Sequence, residues 1–146
     1  AAATFPARPL DALRECDFGA WELLTAAQVR ARQPEQLAAW EADATLAPPG
    51  GESLAQVSAR VSACATALAS AHPDATVCVV SHVGPIKALV CAALGLESSG
   101  ARRLWLDTAS ISIVDWRADG AGQPSGVLRL FNATAHLEGL PRVGDL

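Results

Sequence analysis

The spacing of apolar residues changes period along the chain, and each change marks an element. From residue 54 to 68, Leu54, Val57, Val61, Cys64, Ala65 and Leu68 recur at three- and four-residue steps, the stripe of an amphipathic helix. Ser53 with Gln56 gives it a capping-box start, and His72-Pro73 closes it. "ATVCVVS" follows, continuously apolar and β-branched, which predicts a strand buried on both faces of a parallel sheet. A second helix begins around Pro85, with Ile86, Leu89, Val90 and Ala93 as its buried stripe and Gly95 as its stop. "ASISIVDW" and "GVLRLFN" flank the polar "RADGAGQPS", a pattern that predicts two strands joined as a hairpin.

The first fifty residues are less regular. "LRECDFGAWELLT" fits neither period and predicts a strand end running into an irregular loop. Thr25 with Gln28 starts a short helix that Pro34 ends, and "PEQLAAWEAD" predicts another with Leu37 and Trp40 on one face, before "APPGG" stops regular structure. From His136 onward the chain reads as a loosely held tail. This order of elements predicts an α/β domain with helices on both faces of a mixed sheet.

A length of 146 residues with 51% hydrophobic content supports one domain with a sizeable core. Mean hydropathy is +0.24, yet no apolar run approaches the about 18 residues of a membrane helix, and no secretion signal opens the chain, so the cytoplasm is the expected compartment. Cys16, Cys64, Cys78 and Cys91 are scattered, three of them in apolar segments and none in a Cys-x-x-Cys pair. Buried free thiols are therefore expected in preference to disulfides or a zinc site. A net charge of −4 gives no basic field for nucleic acid and points to a small-molecule partner.

Candidate chemistry centres on His82, at the carboxyl end of the predicted buried strand and just before a helix N-terminus. Open α/β sheets bind ligands at that edge, and the first backbone N–H groups of the helix, Val83 among them, suit phosphate. Taken alone, the same segment also fits a histidine that merely hydrogen-bonds across a loop, because "S-H-x-G" is a short signal.

Three stretches change that balance. "LRECDFGAWE", "PPGGES" and "SHVGPIKAL" occur in the order found in the histidine phosphatase (phosphoglycerate mutase-like) superfamily, branch 1, and the chain resembles that family from about Leu13 to about Trp116. This version resembles the small phosphatases, such as α-ribazole phosphatase, broad-specificity acid phosphatases and the phosphatase half of actinobacterial ribonuclease H fusions. The resemblance implies a three-layer α/β/α sandwich with a mostly parallel sheet and an antiparallel edge. Residues 1–146 would form the carboxyl-terminal two thirds of one such domain, with the N-terminal strand and helix absent.

The resemblance assigns roles residue by residue. His82 matches the second pocket histidine, which contacts the transferring phosphoryl group, and Glu15 matches the acid that protonates the leaving alkoxide. Outside the motif, Glu15 would read as an exposed charge paired with Arg14 or another cation. Ser81 either orients the imidazole and touches phosphate or satisfies local backbone. Trp21 either walls the substrate pocket or packs in the core. Glu22 is a weaker acid candidate, Lys87 reads as a surface or packing residue, and His72 as a solvated helix end. In "PPGGES", Gly50 and Gly51 permit the turn and Ser53 caps the next helix.

Departures from the family pattern carry expectations of their own. The family's nucleophile is a histidine in an Arg-His-Gly triplet, followed later by a second phosphate-binding arginine. None of His72, His82 and His136 follows an arginine. The nucleophile is then expected on an N-terminal segment, this chain alone is expected to be inactive, and the strand before His82 would expose an unpaired apolar edge. A complementing N-terminal segment or a second copy would cover that edge. Leu23 stands where the small phosphatases commonly have glycine, which predicts an altered loop after Trp21.

The expected activity is hydrolysis of a small phosphorylated substrate through a phosphohistidine, with release of inorganic phosphate. The alternatives are a mutase of the same family, or a non-catalytic phosphate-binding or assembly module; the compact loop between Trp21 and Gly51 favours hydrolysis. Leu23, Leu24 and Trp40 lie on the segment that would roof the pocket and suit a partly apolar ester.

Overall fold

The computed structural model describes residues 6–118 and 124–139. Its helices start where the local chemistry directs. Helix α1, Ala26–Arg32, opens on a complete capping box: the Thr25 hydroxyl accepts from the Gln28 N–H at 3.2 Å, and the Gln28 side chain accepts from the Thr25 N–H at 2.8 Å. Helix α2, Pro34–Ala42, follows after one residue, with proline in its first turn where no N–H is needed. Helix α3, Leu54–Ala71, repeats the capping box with Ser53 and Gln56 and ends at His72. Helix α4, Val83–Ala93, stops at Gly95, whose φ of +66° lets the Gly95 and Leu96 N–H groups reach back to the Ala92 and Cys91 carbonyls.

Two strands, β1 (Ile111–Ala118) and β2 (Pro124–Ala133), pair antiparallel, with Asp115 opposite Val127 and Trp116 opposite Gly126. This is the expected hairpin. Its register is irregular around Ser112 and Ile113, where Asn132, at φ +54°, donates its N–H to the Ser112 hydroxyl. The centre of the connecting loop, 119–123, lies outside the described residues. Helix α3 also packs on β1, and α4 on β2.

The core has two centres. Val57 and Val61 of α3, fully buried, meet Cys16 and Ala88 of α4, and each valine contributes roughly 2 kcal/mol by leaving water. Beneath α1 and α2, Trp21, Val29 and Leu37 cluster with Leu24 and Trp40. Phe18 touches both centres. Trp21 and Trp40 meet edge to face at 5.7 Å, and Arg102 stacks 4.8 Å above the Trp40 ring while donating to the Trp40 carbonyl. The short 3-10 segment Ser98–Arg103 is thereby fastened to α2.

Several expectations are corrected. Residues 75–80, read as a strand buried on both faces, have no assigned strand and are exposed, and residues 76–80 make no backbone hydrogen bond among the described residues; Val80 is 90% exposed. A β-branched run favours extended backbone, but pairing needs a neighbouring strand and burial needs layers packed on both faces, neither of which the run itself encodes. The sheet seen among the described residues is accordingly antiparallel and two-stranded. "LRECDFGAWE" holds 3-10 turns at Asp11–Leu13 and Gly19–Trp21 with irregular chain between, and no strand end.

All four cysteines are free, but only Cys16 and Cys91 are buried; Cys64 is half-buried and Cys78 exposed. The loop after Trp21 keeps a glycine-like turn despite its leucine, because Leu23 adopts φ +62°. The tail is better held than expected at its start, where Ala135–Leu137 forms a 3-10 turn and the His136 ring lies 2.9 Å from the Ala109 carbonyl. Residues 140–146 lie outside the described residues. Among the described residues no helix is long and apolar enough to cross a membrane.

Candidate active site

Two distant stretches of sequence are tied together at the start of α4. The Ser81 hydroxyl donates to the Leu13 carbonyl at 2.6 Å, and the Gly84 N–H donates to the Glu15 carboxylate at 3.2 Å to Oε1 and 3.4 Å to Oε2. Oε1 also accepts from the Cys16 N–H at 2.8 Å. Helix α4 leaves its first N–H groups without partners inside the helix, and one of them is given to Glu15. The carboxylate therefore sits within two residues of His82, and Oε2 is the less engaged oxygen.

His82 is the N-cap residue of α4, extended at φ −117°, and its side chain makes no capping bond. The ring is exposed and has no hydrogen bond among the described residues. A histidine serving only to stitch a loop would have its ring nitrogens engaged. Val83, the first helical residue, is 41% exposed at the same edge.

A guanidinium lies behind Glu15. Arg60 of α3 donates through Nε and Nη2 to both oxygens of Glu52, each at 2.9 Å, and through Nη1 and Nη2 to the carbonyls of Ala12, Arg14 and Glu15 at 2.9–3.0 Å. Glu52 in turn accepts from the Asp17 N–H at 3.2 Å, while its own N–H donates to the Asp17 carbonyl at 2.7 Å. The "PPGGES" loop thus clamps the Glu15 loop through backbone, and the two chains run so close that a Cβ on Gly51 would strike the Asp17 carbonyl.

The hydrogen bonds from Arg60 hold the Glu52 carboxyl below its ordinary value of 4.5, against the opposing effect of burial. Cys16, between these acids, is pushed up to about 11, first by burial and then by the charges of Glu52 and Glu15. Its thiol donates to the Glu52 carbonyl at 3.5 Å. It is a packed, neutral thiol.

The other candidates separate. Trp21 is buried, and its Nε1 donates to Gln33 at 2.5 Å. It packs in the core and also walls two cavities of about 190 and 250 Å³, the larger shared with Leu23, Leu24 and Trp40. Neither Glu15 nor His82 lines either cavity. The Glu22 carboxylate accepts from the Phe18 N–H at 2.9 Å and braces the turn. Lys87 is half-buried on α4, and His72 is an exposed helix end. No cluster of three metal-ligating side chains occurs among the described residues.

Sequence reasoning missed Glu52, Arg60 and Gly84. The available signal was an arginine flanking the apolar stripe of α3 with a glutamate eight residues before it.

The family model of the histidine phosphatase superfamily (branch 1) matches residues 1–124. The chain is 46% identical over 127 residues to bifunctional protein Rv2228c of Mycobacterium tuberculosis, covering 87% of this chain and 34% of that protein. It is 33% identical over 128 residues to phosphoserine phosphatase 1 of Hydrogenobacter thermophilus, covering 87% and 58%. The structure of mycobacterial glucosyl-3-phosphoglycerate phosphatase in complex with VO3 superposes with a TM-score of 0.71 at 34% identity, over 84% of this chain and 63% of that one. The chain thus spans between about a third and three fifths of the length of these curated relatives.

Proposed function

We propose a function from one premise: the chain belongs to the histidine phosphatase superfamily (branch 1). It is the acid-donating and phosphate-contacting part of a phosphomonoester hydrolase. The observation that carries this reading is the Gly84 N–H on the Glu15 carboxylate, which brings a proton donor to the helix edge where the His82 ring stands exposed.

The relatives' names give the chemistry its scale. Phosphoserine and glucosyl-3-phosphoglycerate are alkyl phosphomonoesters, and an alkoxide is a poor leaving group that needs a proton as the P–O bond breaks. In the proposed reaction an imidazole on a segment N-terminal to this one attacks phosphorus. The P–N bond forms, the P–O bond to the alcohol breaks, and the proton on Glu15 Oε2 passes to the departing oxygen. Water then attacks phosphorus, the P–N bond breaks and frees the imidazole, the water's proton passes to Glu15, and phosphate leaves.

The His82 imidazole, with the Val83 N–H beside it, donates to the phosphoryl oxygens and stabilises their negative charge. Ser81 acts through its bond to Leu13, holding the two segments of the site together. That the nucleophile comes from elsewhere is supported by the three histidines present, none preceded by arginine, and by the greater length of the relatives. A three-layer sandwich would then be completed by that same segment.

The test is phosphate release from phosphoserine by the full-length protein. Glu15→Gln and His82→Ala are each expected to lower turnover by about 10²-fold or more. Near-native rates in both would refute the assignment.

A further inference from the structure

We infer that Arg60 is a positioning residue for the proton donor, acting by holding the backbone of the Glu15 loop against α3; this rests on the acid role of Glu15 proposed above. A guanidinium has five N–H donors, and here each has an acceptor: two on Glu52 and one each on the carbonyls of Ala12, Arg14 and Glu15. Three carbonyls within four residues thus share one cation. The side chain is mostly buried, at 18% exposure, and its partner Glu52 at 17%.

The segment has no strand or helix of its own to fix it between Leu13 and Gly19. Its backbone is held from one side by Arg60 and Glu52 and from the other by Ser81. The carbonyl that Arg60 holds belongs to Glu15 itself, so a shift of that peptide moves the carboxylate away from the Gly84 N–H. A lysine cannot replace this fork, because an ammonium offers three donors from a single point and no planar pair for Glu52. Misplacing a reacting group by about 1 Å costs on the order of 10²-fold.

The leaving group separates this role from a merely structural one. An alkyl phosphate depends on the proton from Glu15; p-nitrophenyl phosphate, whose leaving phenolate is stable, depends on it far less. In the full-length protein, Arg60→Lys is expected to lower turnover of phosphoserine at least about tenfold more than that of p-nitrophenyl phosphate, as Glu15→Gln does. Combined with Glu15→Gln it should add little on the alkyl substrate, since both remove the same proton transfer.

Glu52→Gln keeps the side-chain shape and one acceptor, and serves if Arg60→Lys does not fold; the same selective loss, smaller, is expected. Equal losses on both substrates, or none, would overturn the positioning role while leaving Glu15 as the acid. If Glu15→Gln itself showed no preference for the alkyl substrate, the acid assignment would fall, and Arg60's role with it.

Discussion

Gly84 leaves room for the Glu15 carboxylate, and for nothing else. A Cβ at that position would fall inside van der Waals contact with Glu15 Oε1. The obstructing atom is the end of a flexible side chain, so Gly84→Ala can fold by pushing the carboxylate aside, and alanine favours the helix by up to about 1 kcal/mol. The expected result is an unchanged or slightly raised thermal midpoint with at least about a tenfold loss in turnover of alkyl phosphates. Paired melting curves and phosphate-release assays check both halves.

Acid should loosen the clamp. Arg60 depresses the Glu52 carboxyl below 4.5 in the folded chain, so the pair contributes fully at pH values above that ordinary value and fades as pH falls through the lower, folded one. Urea midpoints of the wild type and Glu52→Gln should therefore differ near neutrality and converge between about pH 5 and pH 2.

The cysteines should react in opposite ways. Cys16 is 5% exposed and its thiol is held up to about 11, so at neutral pH it is both covered and protonated. Cys78 is exposed on the segment before His82. Brief iodoacetamide treatment read by peptide mass spectrometry should label Cys78 and spare Cys16; labelling of Cys16 first would contradict the packing described for it.

Local rules made the helices legible. Thr25/Gln28 and Ser53/Gln56 each satisfy N–H groups within four residues, and Gly95 supplies a left-handed stop, so nothing distant had to be known. The fate of "ATVCVVS" was not local: extended conformation follows from branched side chains, whereas burial depends on neighbours elsewhere in the sequence. His82 and Glu15 could be named from motif and strand–helix logic. Their convergence through Gly84, and the hydrogen bonds by which Glu52 and Arg60 hold the Glu15 loop, join residues 35 to 69 positions apart, which periodicity does not encode. Trp21 shows the remaining ambiguity, because one indole both fills the core and faces a cavity.

Leu23 carries strain without an evident packing return. Its φ of +62° lies in the left-handed region, and its side chain is fully exposed. Leu23→Gly should relieve that conformation without removing a buried contact, raising stability by about 1 kcal/mol, partly offset by the freer unfolded chain. A chemical denaturation series measures it; a loss of stability would mean the leucine packs on something not apparent at this loop.

The unpaired run ahead of His82 has a consequence on the timescale of solvent exchange. Amide deuterons at Thr76 to Val80, lacking acceptors among the described residues, should appear almost as fast as in a free peptide, while those in the middle of α3 wait for larger openings. The imidazole thus follows a run without backbone partners among the described residues and is anchored from Ser81 on, so a strand laid along that run would slow its amide exchange first and reach the histidine last.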